Sequence, residues 1–275
     1  MNPEKKQQYL KLADHISKWI KNKLVESQTK GVVIGLSGGI DSAVVASIAR
    51  RNIDRDHILG IALPCKSSAS SLLDAKDIAD NIDIPFMKFS LSEFYKKFKY
   101  EFDIQTEEPA LANFDISGLK IARANLKARL RMSTLYYYAN MLNFLVLGTG
   151  NKSEILFGYF TKYGDGGVDI EPIGDLYKTE VWELAEALEN IPKSIINKPP
   201  SADLWEGQTD QDELGFDYFQ LDATLKFLER GKTGPFEGSP EIIERVLQLM
   251  SSTVHKRKTP TIFTVARDRD SQVSI

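Results

Sequence analysis

The run Ser37-Gly38-Gly39-Ile40-Asp41-Ser42 follows the apolar stretch Val32-Val33-Ile34-Gly35-Leu36 and opens an Ala- and Val-rich segment at Ala43. Paired glycines let a backbone approach an anion closely. A helix start adds unpaired N–H groups and the positive end of a dipole. Ser37 and Ser42 contribute hydroxyls. The chemistry these residues suit is the cradling of a phosphate chain, by Gly35, Leu36, Ser37, Gly38, Gly39, Ile40, Asp41 and Ser42 together. The run lacks the lysine of a Walker A loop and the spacing of a G-x-G-x-x-G dinucleotide turn. Asp41 would repel a bare phosphate, so a divalent cation, Mg²⁺, is expected between them. Read by itself, the same run could cap an ordinary strand–helix turn.

Three further groups carry chemistry. Glu154 stands just beyond the short apolar run Phe144–Leu147, as Asp41 stands beyond the run that ends near Leu36. In an open parallel sheet both carboxylates would lie at the ligand-binding edge, where they could share Mg²⁺ with substrate phosphates. Lys162 and Lys178 flank a glycine-dense loop with Gly164, Gly166 and Gly167, and can neutralise charge growing on phosphate. Arg123, Lys127 and Arg131 recur every fourth residue on one helical face, with Asn125 and Arg129 on another.

The elements that must position these groups follow from the hydrophobic periods. Tyr9, Leu12, Ala13, Ile16, Trp19, Ile20 and Leu24 predict an amphipathic helix over 3–26. Strands are expected at 32–36, 58–63, 85–89 and 144–147, and helices from Ala43, over 70–81, 118–141, 176–188 and 240–252. Strands alternating with helices imply βαβ units: an α/β, Rossmann-like open parallel sheet with helices on both faces. Residues 105–117 read as a loop and 255–270 as a charged tail. The Pro-, Asp- and Gly-rich segment 197–216 has the composition of a linker or of an active-site lid. One domain over 1–275 is the simplest architecture, with a core over about 30–190 and a helical C-terminal part over about 197–275.

Composition narrows the partners. The chain has 275 residues, 42% of them hydrophobic, with 35 Lys+Arg against 38 Asp+Glu and a net charge of −3. That balance suits an ordinary globular protein and argues against a broad electrostatic grip on nucleic acid. No stretch of about 18 apolar residues would span a membrane. The N-terminus has no signal-peptide pattern, and Cys65 stands alone, so a cytoplasmic location is expected and thiol or Cys-rich metal chemistry is not.

Several motifs resemble one superfamily. Ser37-Gly38-Gly39-Ile40-Asp41-Ser42-Ala43 after a strand is similar to the loop of the adenylating N-type ATP pyrophosphatases, whose fold is the adenine nucleotide alpha-hydrolase type. Leu147-Gly148-Thr149-Gly150-Asn151-Lys152-Ser153-Glu154, Gly158 through Gly167, Asp169 and Pro172 resemble the NAD synthetases within it. So do Asn125 through Met132, Lys198 through Leu204, Gln211 through Gly215, and His255-Lys256-Arg257. Ile40 stands where many bacterial members have Gln, and Ser201 where Thr is usual. The resemblance runs from about residue 30 to 258 and implies the ammonia-dependent branch. There ATP, deamido-NAD and ammonia give AMP, pyrophosphate and NAD through an adenylated intermediate.

It also implies roles. Thr149, Lys178 and Ser201 would bind ATP with the glycine loop. Arg129, Lys162, Asp169, His255 and Lys256 would bind deamido-NAD. Asp41 and Glu154 would hold Mg²⁺. Asp41, Lys162, Lys178 and Asp169 would carry catalysis, Asp169 as a candidate to take a proton from ammonium. About 30 residues precede the phosphate loop, too few for a glutaminase domain, so free ammonia or a separate donor protein is the expected nitrogen source. A homodimer is implied, with the helices at 3–26 and 118–141 offering apolar surface. Loops 64–72, 160–168 and 200–213 are expected to be mobile until ligands order them. The competing readings are a non-catalytic nucleotide-binding module, or another adenylating amidotransferase or tRNA-modifying ATP pyrophosphatase.

Overall fold

The computed structural model describes residues 1–201, 210–211, 215–234, 236 and 238–263. Its sheet has four parallel strands, β1 (Gly31–Gly35), β2 (Ile58–Ala62), β3 (Phe86–Lys88) and β4 (Phe144–Leu147), in the order β3-β2-β1-β4. The pairing of Val32 with Ile58 and of Gly31 with Phe144 sets the register. An isolated bridge from Leu147 to Ile170 extends the sheet beyond β4.

Side chains of a strand alternate between its faces, and both faces here are covered. Val32 and Ile34 pack on one side beneath α1 (Pro3–Ser27), α2 (Ile40–Arg50), α3 (Ala69–Asn81) and α7 (Lys178–Leu188). Val33 and Val146 pack on the other, beneath α4 (Ser92–Gln105) and α5 (Leu119–Leu142). A separate apolar cluster joins α6 (Lys152–Phe157) and the start of α7 to α9 (Tyr218–Glu229) and α10 (Pro240–Ser252), through Phe157, Tyr177, Leu221, Leu225 and Val246. The short α8 (Lys193–Ile196) leads into 197–201.

The expected strands and helices are present within three residues of their predicted ends. Four helices were not expected: α4, whose Phe, Tyr and Lys mixture masks any apolar stripe, the short α6 and α8, which hold too few residues to show a period, and α9, which follows the polar 197–216 segment. The loop expected over 64–72 is shorter, because Ser68 accepts from the Ser71 N–H (3.2 Å) and starts α3 at Ala69. Within the expected loop 105–117, Pro109–Leu111 forms a turn of 3₁₀ helix. Much of the 200–213 segment, and 264–270 of the tail, lie outside the described residues.

The strand order matters for function. From β1 the chain moves to β2 on one side, while β4 lies on the other. The carboxyl ends of β1 and β4 are therefore neighbours at a switch point, where open α/β sheets form their ligand crevice.

Candidate active site

The loop after β1 is shaped by Gly38, at φ 76°. A Cβ there would lie 2.2 Å from the Ser71 carbonyl oxygen at the start of α3. Only glycine fits such an approach in the left-handed region. Ser37 and Ser42 hold the loop closed. Their hydroxyls lie 3.1 Å apart, Ser37 Oγ accepts from the Gly39 N–H (3.1 Å), and Ser42 Oγ donates to the Gly39 carbonyl (2.9 Å). No side chain caps α2, so its first N–H groups face the crevice. The hydroxyls thus organise the loop, and the helix start offers donors to an anion.

Asp41, in the first turn of α2, reaches across to the β4 side. It accepts from Asn151 Nδ2 (3.1 Å) and pairs with the Lys178 ammonium, a side chain only 2% exposed. Asn151 is the hub. Its Oδ1 accepts from the Glu154 N–H (3.0 Å) while Glu154 Oε2 accepts from its own N–H (3.2 Å), a reciprocal cap on α6. Burial, reinforced by the Asp41 charge, pushes Glu154 well above the ordinary carboxyl range. Burial works to lower Lys178, but Asp41, Glu154 and Asp210 outweigh it and hold the ammonium above its usual value. Asp210 carries no motif of its own in the sequence. It is 4% exposed, accepts from the Tyr218 hydroxyl (2.8 Å), and is pushed upward by burial. Its Oδ1 is buried with no partner among the described residues.

This donor set fits a small hard cation. Two carboxylates linked through Asn151 repel each other, and a third offers an unsatisfied oxygen. Among the described residues no three His, Cys, Asp or Glu side chains form a cage of their own. Mg²⁺ needs none, since it is usually held by one or two carboxylates, water and substrate phosphates.

The β4 side of the crevice is built from Gly148, Thr149 and Gly150. The Glu171 carboxyl packs into the space that glycine leaves. A Cβ on Gly148 would meet Glu171 Oε2 at 2.2 Å, and the Gly150 N–H donates to that same oxygen (3.1 Å). Burial raises Glu171 to about 8. Thr149 lies at this turn, partly exposed. Ser201, exposed, follows Pro200, whose carbonyl accepts from the Asp210 N–H (3.1 Å). The rest of the Lys198–Leu204 and Gln211–Gly215 motifs, from Ala202 to Leu204 and from Asp212 to Leu214, lies outside the described residues.

A second group converges beside it. Lys162 Nζ donates to the His255 carbonyl (2.6 Å), and Arg129 Nη2 donates to the Lys162 carbonyl (3.3 Å). Lys256 donates to the Gly158 (2.7 Å) and Phe160 (2.8 Å) carbonyls, so its ammonium straps the glycine-dense loop. Thr161 Oγ1 donates to Asn125 Oδ1 (2.8 Å), and the Thr161 N–H to Asp165 Oδ1 (3.0 Å). Asp169 accepts from the Tyr136 hydroxyl (3.0 Å) and the Val146 N–H (2.7 Å). Arg123 and Lys127 are engaged with α4, and Arg131 reaches the segment after β2 while its charge is felt by Asp165 of the loop. Arg123 pairs with Asp103, Lys127 lies over the Tyr95 ring, and Arg131 donates to Leu63 O and Ser67 Oγ.

The family model described as NAD synthase matches residues 12–260. Over 262 residues, 95% of this chain and 96% of the relative, the chain is 40% identical to an NH(3)-dependent NAD(+) synthetase of Syntrophomonas wolfei. Among solved structures, an NMN synthetase from Francisella tularensis is similar at a TM-score of 0.82 and 32% identity, covering 94% of this chain and 99% of that one. An NH3-dependent NAD synthetase from Campylobacter jejuni is similar at a TM-score of 0.73 and 31% identity, covering 93% and 99%.

Proposed function

The chain belongs to the NAD synthase family, and from that premise we propose how the crevice between β1 and β4 makes NAD from ATP, deamido-NAD and ammonia. The enzyme is a ligase that forms a carbon–nitrogen bond, with ATP as co-substrate. The observation that carries the site assignment is the joining of Asp41, Asn151, Glu154 and Lys178 beside an uncapped helix start.

A nicotinate carboxylate is unreactive because its oxygen is a poor leaving group. Its oxygen attacks the α-phosphorus of ATP, and pyrophosphate leaves. Ammonia then adds to the carbonyl carbon of the adenylate, AMP leaves, and a proton is released. The loop from Ser37 to Ser42 and the start of α2 cradle the departing pyrophosphate, and Thr149 and Ser201 complete the ATP site. Lys178 places fixed positive charge where negative charge grows, inside a crevice of low dielectric. Asp41 and Glu154 would hold Mg²⁺, with Asp210 facing the same place. When bound, that ion neutralises and orients phosphate oxygens. Arg129, Lys162, His255 and Lys256 line the deamido-NAD side. Asp169 spends both oxygens on Tyr136 and Val146, which suits shaping that side better than shuttling a proton.

Support for a homodimer comes from large apolar side chains left exposed on α4, the segment after it and α5. Phe94, Phe98, Phe102, Phe114, Ile121 and Tyr137 are exposed there. A patch of that character marks an interface, and a two-fold pairing would bury it on both copies. Because α5 also carries Arg129, the partner would close over the dinucleotide. Among the described residues no helix is long and apolar enough to cross a membrane. Use of ATP and a free, buried Cys65 favour the cytoplasm.

The test is formation of AMP and pyrophosphate with ATP, Mg²⁺, ammonium and deamido-NAD, run beside nicotinate mononucleotide, since one solved relative is an NMN synthetase. NAD is expected as the product, with the dinucleotide preferred in kcat/KM. A preference for the mononucleotide would overturn the substrate assignment. ATP binding without turnover on either would favour the non-catalytic module.

A further inference from the structure

We propose that Asp222, on α9, is a positioning residue for Lys178, and that Tyr218 on the same helix completes the support. The inference rests on the reading of Lys178 as the charge that acts on the phosphates. Asp222 is 2% exposed, on a helix whose buried Tyr218, Leu221 and Leu225 join Phe157 and Tyr177 in an apolar cluster. A carboxylate there is costly unless its oxygens are satisfied. Both are spent on one place. Oδ2 accepts from the Thr179 N–H (2.8 Å). Oδ1 accepts from the Ser153 hydroxyl, whose oxygen in turn accepts from the Lys178 N–H (3.0 Å). Those N–H groups open α7, have no partner within their helix, and lie at its positive end, where a carboxylate is favoured.

The consequence reaches the ammonium. Helical side chains lean toward the N-terminus, so Lys178, first in α7, extends past the helix start toward Asp41. Its Nζ lies 5.4 Å from the centre of the Tyr218 ring. Tyr218 and Asp222 are four residues apart, hence on one face of α9. The helix therefore grips Lys178 twice, at its backbone through Asp222 and Ser153 and at its charge through the ring. Ser153 precedes Glu154 on α6, so the same carboxylate also ties down the element that presents the second acid.

The experiment is a cycle on the full-length enzyme with Asp222→Asn, Lys178→Met and the double variant. Ser153→Ala serves as a milder probe that removes one hydroxyl and carries the test should Asp222→Asn not fold. Asp222→Asn and Ser153→Ala should each lower kcat for AMP formation about tenfold or more, with KM for deamido-NAD held within about twofold. In the Lys178→Met background Asp222→Asn should change the residual rate by less than about twofold, since residues acting as a unit are not additive. An equal proportional loss in both backgrounds would refute the link. A shift in KM for deamido-NAD at constant kcat would refute it as well. Wild-type turnover by Lys178→Met alone would instead refute the catalytic reading of that lysine. Thermal unfolding of the same four proteins then reads the link directly, with additive shifts counting against it.

Discussion

Replacing Lys178 with Met tests the electrostatics of the crevice most sharply. The ammonium is 2% exposed, pairs with Asp41, and lies close enough to Glu154 and Asp210 to feel both. Methionine keeps most of the volume but removes the positive charge that pairs with Asp41 and acts on Glu154 and Asp210. Removing one partner of a buried ion pair costs about 3–5 kcal/mol. For a chain of this size each kcal/mol lowers the midpoint by about 2–4 °C, so a loss of about 6–20 °C is expected near pH 7. The sign with pH follows from the acids. Glu154 already titrates above its unfolded value, and Lys178 is a force holding it down. Without the lysine Glu154 rises further, so the native state binds more protons than the unfolded one. Stability then falls as pH rises, from the unfolded carboxyl range up through the folded value. Lys178→Met should lose more relative to wild type as pH rises through the wild-type folded value of Glu154. Millimolar Mg²⁺ should restore part of the loss, because a cation would return to the acids. Differential scanning calorimetry across a pH series from the ordinary carboxyl range upward, with Mg²⁺ and with chelator, separates the two effects. A midpoint unchanged by the substitution, or a deficit independent of pH and Mg²⁺, would refute the reasoning.

Asp41→Asn and Glu154→Gln should each abolish nearly all turnover while leaving circular dichroism unchanged; normal Mg²⁺-dependent activity in either would remove the metal assignment. Gly38→Ala puts a Cβ into the Ser71 carbonyl at a positive φ, and about 2–4 kcal/mol of stability should be lost with a raised KM for ATP; denaturant melts and ATP titration measure both. Glu171 titrates near 8 in the folded chain against an ordinary value of 4.5, so its ionisation opposes folding as pH rises. Glu171→Gln should therefore flatten the fall in midpoint expected of the wild type between pH 5 and pH 9, and an unaltered profile would contradict the burial of that carboxyl. Phe98→Glu with Phe102→Glu should sediment at the chain mass and raise KM for deamido-NAD more than for ATP, whereas an unchanged dimer would move the interface elsewhere.

What could be read from residues in order was chemistry written in a contiguous run. The Ser37–Ser42 turn declares its phosphate cradle because two glycines, two hydroxyls and a helix start are neighbours in the chain. The strands and most helices were equally legible, since their apolar periods reflect local geometry. Glu154 and Asp41 could be placed at strand ends, but nothing local says which strand ends adjoin. The order β3-β2-β1-β4 decides that, and it brings Asn151 to Asp41 across 110 positions of sequence. The role of Asn151 had a faint local sign, an N-cap residue three before Glu154. Asp210, Tyr218 and Asp222 had none. Tyr218 and Asp222 are ordinary residues of an amphipathic helix and become part of the site only because α9 packs against α6 and α7, and Asp210 joins them through the Tyr218 hydroxyl. A buried carboxylate is paired or costly, and pairing is a property of what surrounds it. The sequence alone determined which side chains were available to hold a phosphate; tertiary packing decided which acids lose water together, and so which lysine they hold.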